Sequence, residues 1–282
     1  MAETIKVAVA GAAGKMGQHL CEHVAQASGL ELVLATDRSH VGENLRDVVG
    51  KQMPSIVIED KIGAGIERTG AQVLVDFTHP GCACDHAMTA MNHKCAAIIG
   101  TSGIHNSQHS DLADHAKATG VPVMLVPNFA LGAVLMMRFA EMAAKWLPHV
   151  EIIELHHDAK ADAPSGTAKA TAEKIAANRH RTPHKSAEII SVDGVRGGSY
   201  RDVPIHSIRM RGLMAHQEVM FGALGQVLSI RHDAMDRTSY MPGVELAIRN
   251  VWKTSGFSMG LEQLLFNHAI DEHRALALVG EE

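Results

Sequence analysis

The densest run of chemically capable side chains is Glu154-Leu155-His156-His157-Asp158-Ala159-Lys160-Ala161-Asp162-Ala163-Pro164-Ser165-Gly166-Thr167. Two histidines and a lysine fall within five residues, where a strand pattern gives way to a polar loop. Imidazole and ammonium groups this close can donate a proton and hold an anionic ligand. Pro164-Ser165-Gly166-Thr167 reads as the opening of a helix, whose hydroxyls and unpaired N–H groups suit a carboxylate. A metal centre is the weaker reading. Neighbouring histidines on a strand point to opposite faces, and neither a cysteine nor an H-E-x-x-H partner accompanies them.

The second signal is Gly11-Ala12-Ala13-Gly14-Lys15-Met16-Gly17, set between an apolar run and a helical pattern. Glycine there allows a tight turn, close approach of backbone to a pyrophosphate, and packing of helix on strand. The following helix start adds N–H groups and a partial positive charge for phosphates. The spacing is G-x-x-G-x-x-G and not the commoner G-x-G-x-x-G, so the context carries the reading. Asp37 stands about 20 residues on, where an acid accepts from a ribose 2′-hydroxyl. Arg38 beside it can hold a 2′-phosphate. The pair predicts use of NADH or NADPH.

Three more loops follow apolar strand patterns: Asp76-Phe77-Thr78-His79-Pro80, Gly100-Thr101-Ser102-Gly103 and Val126-Pro127-Asn128-Phe129. In a doubly wound sheet the ligand lies at the carboxyl ends of the strands, so these loops are expected to face the nicotinamide half. The last is also a candidate hinge. Arg237 is a possible second anion clamp.

The elements that must position these groups alternate in the first half. Strands are expected over 5–10, 30–35, 55–58, 72–77, 96–99 and 121–126, with helices over 17–26, 85–92 and 110–118. Strand and helix taking turns implies parallel βαβ units and an open doubly wound α/β sheet. Beyond residue 128 the texture changes. A helix over 131–146 leads to a strand over 150–156 and a helix over 165–178. Strands over 187–191, 205–210, 216–221 and 227–231 then follow with no helices between them, which predicts a mixed or antiparallel sheet of a second, α+β domain. Gly212-Leu213-Met214-Ala215-His216-Gln217 reads as a tight hairpin connection, with a substrate loop as the other reading, and a helix returns over 241–252. Met136, Met137 and Met142 are expected to fill the core, and Cys82-x-Cys84 to pack.

Composition removes several classes. With 46% apolar and 20% charged residues over 282 positions, the chain has the make-up of a folded globule and not of a disordered one. Its 26 basic against 31 acidic residues leave a net charge of −5, so no basic surplus points to nucleic acid or an anionic membrane. No run approaches the ~20 continuous apolar residues of a membrane span. Four cysteines without zinc-finger spacing, and no visible secretory leader, predict reduced thiols and a cytoplasmic protein. The 19 histidines make the charge sensitive to pH near neutrality.

Together these segments resemble the 4-hydroxy-tetrahydrodipicolinate reductase family, also called dihydrodipicolinate reductases, of diaminopimelate and lysine synthesis. The most specific match runs from His156-His157 through Lys160 to Thr167, and V-A-G-A-A-G-K-M-G, D-F-T-H-P, I-G-T-S-G, P-N-F and R-G-L-M-A-H-Q-E-V follow the family order. The resemblance implies a Rossmann-type dinucleotide-binding domain from residues 1–128 and 239–282. It implies a substrate-binding and oligomerisation domain with an open mixed sheet from residues 129–238, and a homotetramer joined through those sheets. It implies cofactor contacts at Gly11, Ala12, Ala13, Gly14, Lys15, Met16, Asp37, Arg38, Gly100, Thr101, Ser102, Val126, Pro127, Asn128 and Phe129. It implies a proton-handling pair, His156 and Lys160, and substrate-carboxylate contacts at His157, Gly166 and Thr167. Lys15 stands where some members have arginine, and Asp37 where others have glutamate. The implied reaction is reduction of a small cyclic dicarboxylate imine by NADPH or NADH, with no metal. A reductase of another imino or amino dicarboxylic acid, and an NAD(H)-sensing regulator, are the alternatives.

Overall fold

The computed structural model describes residues 4–180 and 189–266. The chain divides into two compact units, Met1–Phe129 with Tyr240–Glu282, and Ala130–Ser239.

The first unit starts with β1 (Ile5–Ala10), whose last four residues are all buried, as befits a strand covered on both faces. After it come α1 (Lys15–Gln26), β2 (Leu30–Thr36), the single-turn α2 (Leu45–Val48), α3 (Ile62–Thr69), β3 (Val73–Asp76), α4 (Ala83–Asn92), β4 (Ala96–Ile99), α5 (Asn106–Thr119) and β5 (Val123–Leu125). The second unit holds α6 (Leu131–Ala144), β6 (His149–His156), α7 (Gly166–Asn178), β7 (Gly198–Tyr200), β8 (Val203–Arg209), β9 (Ala215–Ala223) and β10 (Gln226–Ala234). The chain then returns to the first unit with α8 (Met241–Asn250), β11 (Phe257–Met259) and α9 (Glu262–Phe266).

The first sheet has six strands in the order β11-β5-β4-β3-β1-β2, and every pairing is parallel. This is the Rossmann-type doubly wound α/β arrangement expected from the alternation of strand and helix. The returning segment is tied in by side chains. Glu245 of α8 accepts from His23 of α1 (2.6 Å) and from Arg249 Nε (2.7 Å), while Arg249 also donates to the Ser28 carbonyl (2.6 Å).

The second sheet is mixed, in the order β10-β9-β6-β8-β7, with β6 parallel to β8 and the other pairs antiparallel. β6 lies at its centre, and α6 and α7 pack against each other and on the sheet. Alternation along β6 places Val150, Ile152 and Glu154 in the buried layer. The opposite face carries Ile153, Leu155, Ile208 and Met220, each partly exposed.

Several expectations are corrected. The segment 55–58 makes only isolated bridges, Val57 to Asn44 and its neighbour Glu59 to Thr36, and no strand, because Pro54 and the polar residues around it leave no run of ladder partners. Gly212 to Gln217 is not a hairpin connection. β8 and β9 both pair with β6 and not with each other, so the chain between them crosses β6, and Ala215, His216 and Gln217 belong to β9. Met136 and Met137 are buried, but Met142 is half-exposed on the outer side of α6. The expected strand over 187–191 has residues 187 and 188 outside the described part, and 189–191 are not in a strand. The short edge strands β7 and β11 have patterns of three residues, too short for an alternation to register. Cys21, Cys82, Cys84 and Cys95 are free thiols, and burial pushes those of Cys21 and Cys95 up to about 12.

Candidate active site

In the first unit the glycine loop is fixed by contact. Gly11 has φ +80°, a conformation that side chains rarely tolerate. A Cβ on Gly17 would lie 2.7 Å from the Gly11 carbonyl carbon and 2.9 Å from Ala12 Cα, with the Gly11 oxygen closer still. α1 therefore rests directly on the turn that ends β1. The loop amides are largely spent inside the protein. Those of Gly11 and Ala12 donate to the Thr36 carbonyl (2.8 and 3.1 Å), that of Ala13 to Asp37 Oδ2 (3.0 Å), and that of Gly14 to the Gly11 carbonyl (3.0 Å). The N-cap, Gly14, has no side chain to cap the helix, so the first-turn amides at Lys15 and Met16 are left as donors with the positive end of the helix dipole. Gly11 to Gly14 thus contribute shape, and the helix start contributes the hydrogen bonds.

Asp37 follows β2 and links two backbones, taking Ala13 N–H on one oxygen and Ser39 N–H (2.9 Å) on the other. Arg38 follows Asp37 in the chain, and Lys15 opens α1.

Two of the other three loops meet through Asp76, which the sequence marked as a loop residue without a role, and the third joins through Phe129. Asp76 closes β3 and is buried, 1% exposed. Its carboxylate accepts from Thr78 N–H (2.9 Å), Thr78 Oγ1 (2.7 Å), Thr101 Oγ1 (2.8 Å) and His86 Nδ1 (2.7 Å). Burial works to raise its pKa, but these hydrogen bonds outweigh it and hold the carboxyl below the usual range. Phe77 and Phe129 pack ring against ring, 5.5 Å between centroids, and Gly100 lies so close to both that a Cβ would strike them. The loops at 76–80, 100–102 and 126–129 are thereby brought together, with Thr101, Val126 and Phe129 buried and Ser102 and Pro127 exposed.

In the second unit the loop between β6 and α7 is organised around Glu154. This carboxylate is fully buried. Oε2 meets His156 Nδ1 (2.5 Å) and Arg209 (2.9 Å), while Oε1 accepts from Arg209 (2.8 Å) and Ser165 N–H (3.2 Å). Burial again raises the pKa, and hydrogen bonds from His156, Arg209 and Ser207 overcome it, leaving the group at about 2. Lys160 donates to Asp162 Oδ1 (2.7 Å), and that hydrogen bond lowers the pKa of the Asp162 carboxyl. His157 follows the strand and its carbonyl takes Lys160 N–H (3.2 Å). Ser165 caps α7, its side chain accepting from Ala168 N–H (3.1 Å). Gly166 opens the helix and Thr167 follows, so the first-turn amide at Gly166 has no carbonyl of its own helix to bind.

His156 thus closes β6, His157 and Lys160 lie in the loop after it, and Gly166 and Thr167 open α7, while Arg237 begins a separate 3-10 turn. Glu154 lay in the quoted sequence run, one of two acids on the strand with Glu151, and the available signal was its place in the apolar alternation of Val150 and Ile152. Arg209 lies 55 residues further on, and only the β6–β8 pairing brings it in. Among the described residues no three metal-binding side chains cluster, and no helix is long and apolar enough to cross a membrane.

A parallel six-stranded Rossmann-type fold joined to a mixed-sheet unit with a histidine- and lysine-bearing loop is the arrangement of a two-unit oxidoreductase. Family profiles described as dihydrodipicolinate reductase, N-terminus and C-terminus, match residues 5–129 and 132–265. A 4-hydroxy-tetrahydrodipicolinate reductase of Syntrophomonas wolfei is 45% identical over 266 residues, covering 94% of this chain and 100% of the relative. One from Listeria innocua is 42% identical over 93% of this chain and 100% of its own length. The dipicolinate-bound dihydrodipicolinate reductase of Paenisporosarcina sp. TG-14 superimposes with a TM-score of 0.83 at 38% identity, covering 92% of this chain and 99% of that one. The chain belongs to the dihydrodipicolinate reductase family.

Proposed function

We propose that this protein reduces 4-hydroxy-tetrahydrodipicolinate, by way of the dehydrated cyclic imine, to tetrahydrodipicolinate, using NADPH or NADH. The observation that carries the reading is the β6–α7 loop. It sets two histidines and a lysine beside a helix start, in a chain that follows this family from end to end of its described residues. Two carboxylates on a small ring need cationic side chains and helix N–H groups, and the loop supplies both.

The glycine loop fits a dinucleotide: the packed Gly11–Gly17 turn leaves no room for a Cβ, and the first turn of α1 is uncapped. In this reading Gly11 to Gly14 shape the turn, Lys15 and Met16 meet the pyrophosphate, and Asp37 and Arg38 meet the adenosine ribose or its 2′-phosphate. Gly100, Thr101, Ser102 and Val126 to Phe129 line the nicotinamide end. When bound, the reduced nicotinamide supplies a hydride, which goes to C4 of the conjugated imine. His157, Gly166 and Thr167 hold the carboxylates. Lys160 or His156 gives the proton that the adjacent ring carbon, C3, needs once C4 is reduced. Holding the ring in one orientation contributes several kcal/mol to the rate.

The likeness to reductases over nearly the whole chain weighs against an NAD(H)-sensing regulator, which has no need of His156, His157 and Lys160. The partly exposed sheet face with Ile153, Leu155, Ile208 and Met220 supports association through the mixed sheets into a homotetramer. The absence of a long apolar helix among the described residues fits a cytoplasmic enzyme. The test is oxidation of NADPH, then NADH, by purified protein with fresh condensation product of pyruvate and aspartate semialdehyde. Oxidation that depends on that product supports the assignment. Protein that binds cofactor and leaves it unoxidised refutes it.

A further inference from the structure

Both proton-handling candidates hang from one buried ion pair. Glu154 is fully buried, and Arg209 spans both of its oxygens. On one side Glu154 Oε2 lies 2.5 Å from His156 Nδ1. On the other, Arg209 donates to the Asp162 carbonyl (2.7 Å), and the side chain of the same Asp162 takes Lys160 Nζ (2.7 Å). Glu154 also takes the Ser165 amide at the start of α7. A single carboxylate therefore reaches the strand end, the lysine loop and the helix start.

We propose that Glu154 and Arg209 are a positioning pair: Glu154 holds neutral His156 in the Nδ1–H tautomer, and Arg209 anchors the Lys160 loop through Asp162. A carboxylate flanked by an arginine has only lone pairs to offer, so the ring nitrogen facing it must be the donor. That leaves the basic lone pair, or the transferable proton of the imidazolium, on Nε2, which has no hydrogen-bond partner among the described residues. Arg209 Nε is buried without a partner, a cost that a pair serving stability alone has little reason to carry. The tautomer follows from Glu154 alone, whereas its use in turnover rests on the reductase reading above.

Glu154→Gln separates the possibilities. The Oε1 position faces two fixed donors, Arg209 Nη2 and Ser165 N–H, against one, Arg209 Nη1, at Oε2, so the amide oxygen takes the Oε1 place and the bond from Arg209 Nη1 is given up. The amide nitrogen then faces His156 Nδ1, which must accept, so the tautomer inverts to Nε2–H. The readout is the 15N shift pattern of the His156 imidazole in the neutral ring, assigned by its loss in His156→Asn. Wild type should show a pyrrole-like Nδ1 and a pyridine-like Nε2, and Glu154→Gln the reverse. Turnover should fall about 100-fold in kcat, with KM for NADPH within twofold, the mark of a wrong tautomer and not of a lost ligand contact. Should Glu154→Gln fail to fold, Glu154→Gln/Arg209→Met removes both charges from the site, and the wild-type pattern stands as a test by itself. A wild-type His156 carrying its proton on Nε2 overturns the proposal, as does unchanged kcat in a variant with an inverted ring. A wild type without turnover but with Nδ1–H defeats only the reductase reading.

Discussion

Replacing Gly17 by alanine tests the cofactor cradle at its tightest point. The new Cβ would meet backbone on the Gly11 side at 2.7 Å or less and Ala12 Cα at 2.9 Å, and backbone has no rotamer by which to yield. The start of α1 must retreat from β1 by roughly 1 Å. Overpacking of this kind costs about 1–3 kcal/mol of stability. The same retreat moves the Lys15 and Met16 amides away from the pyrophosphate. Hydrogen bonds to a charged group are worth about 1.5–3 kcal/mol each, and losing half of two such bonds gives about 1.5–3 kcal/mol. Affinity for NADPH and NADH should therefore drop roughly 10- to 100-fold, at 1.4 kcal/mol per tenfold. Calorimetric titration of both cofactors, with far-ultraviolet circular dichroism to verify the fold, measures this. A Kd within threefold of wild type in a folded Gly17→Ala protein would refute the account of the loop.

Further expectations follow from the same geometry. Arg38→Ala should weaken NADPH about 10- to 100-fold and leave NADH within twofold, because only the 2′-phosphate needs the guanidinium. Asp37→Ala should weaken both cofactors, since Asp37 also holds Ala13 N–H, and paired titrations that show a selective loss of NADH alone contradict that tie. Lys160→Ala should lower kcat about 10²- to 10⁴-fold with cofactor affinity intact; the same comparison at His156 shows which side chain delivers the proton, and near-wild-type turnover for both removes the pair. The Glu154 carboxyl lies at about 2 in the folded chain against an ordinary 4.5, so its stabilisation is complete above about pH 5 and is lost as pH falls toward 2. That is worth at most about 3 kcal/mol. Melting curves of wild type and Glu154→Gln should converge on acidification, and a gap that widens instead contradicts the sign.

The sequence was most legible where one pattern had one physical cause. β4 ends where its buried run ends, β1 ends where its apolar run meets Gly11, and Gly11 and Gly17 are where backbones touch. The helix read over 165–178 is present from Gly166, with Ser165 as its N-cap. What escaped needed partners distant in the chain. Arg209 acquires meaning only when β8 pairs with β6, and Asp76 only when Thr101 and His86 fold back onto it. The loop after Arg209 was misread because glycine marks a turn without saying which strands it joins. Met142 was misread because a methionine on an apolar helix carries no sign of which side it takes.

The most direct test of the central claim follows the hydride. Purified protein is given the fresh condensation product with NADPH deuterated at the transferable C4 position, in ordinary water, and the product ring is read by NMR and mass spectrometry. The account predicts one deuterium, at ring C4, where it does not exchange, and solvent hydrogen at C3. Deuterium at C2, or product formed with none, would contradict it.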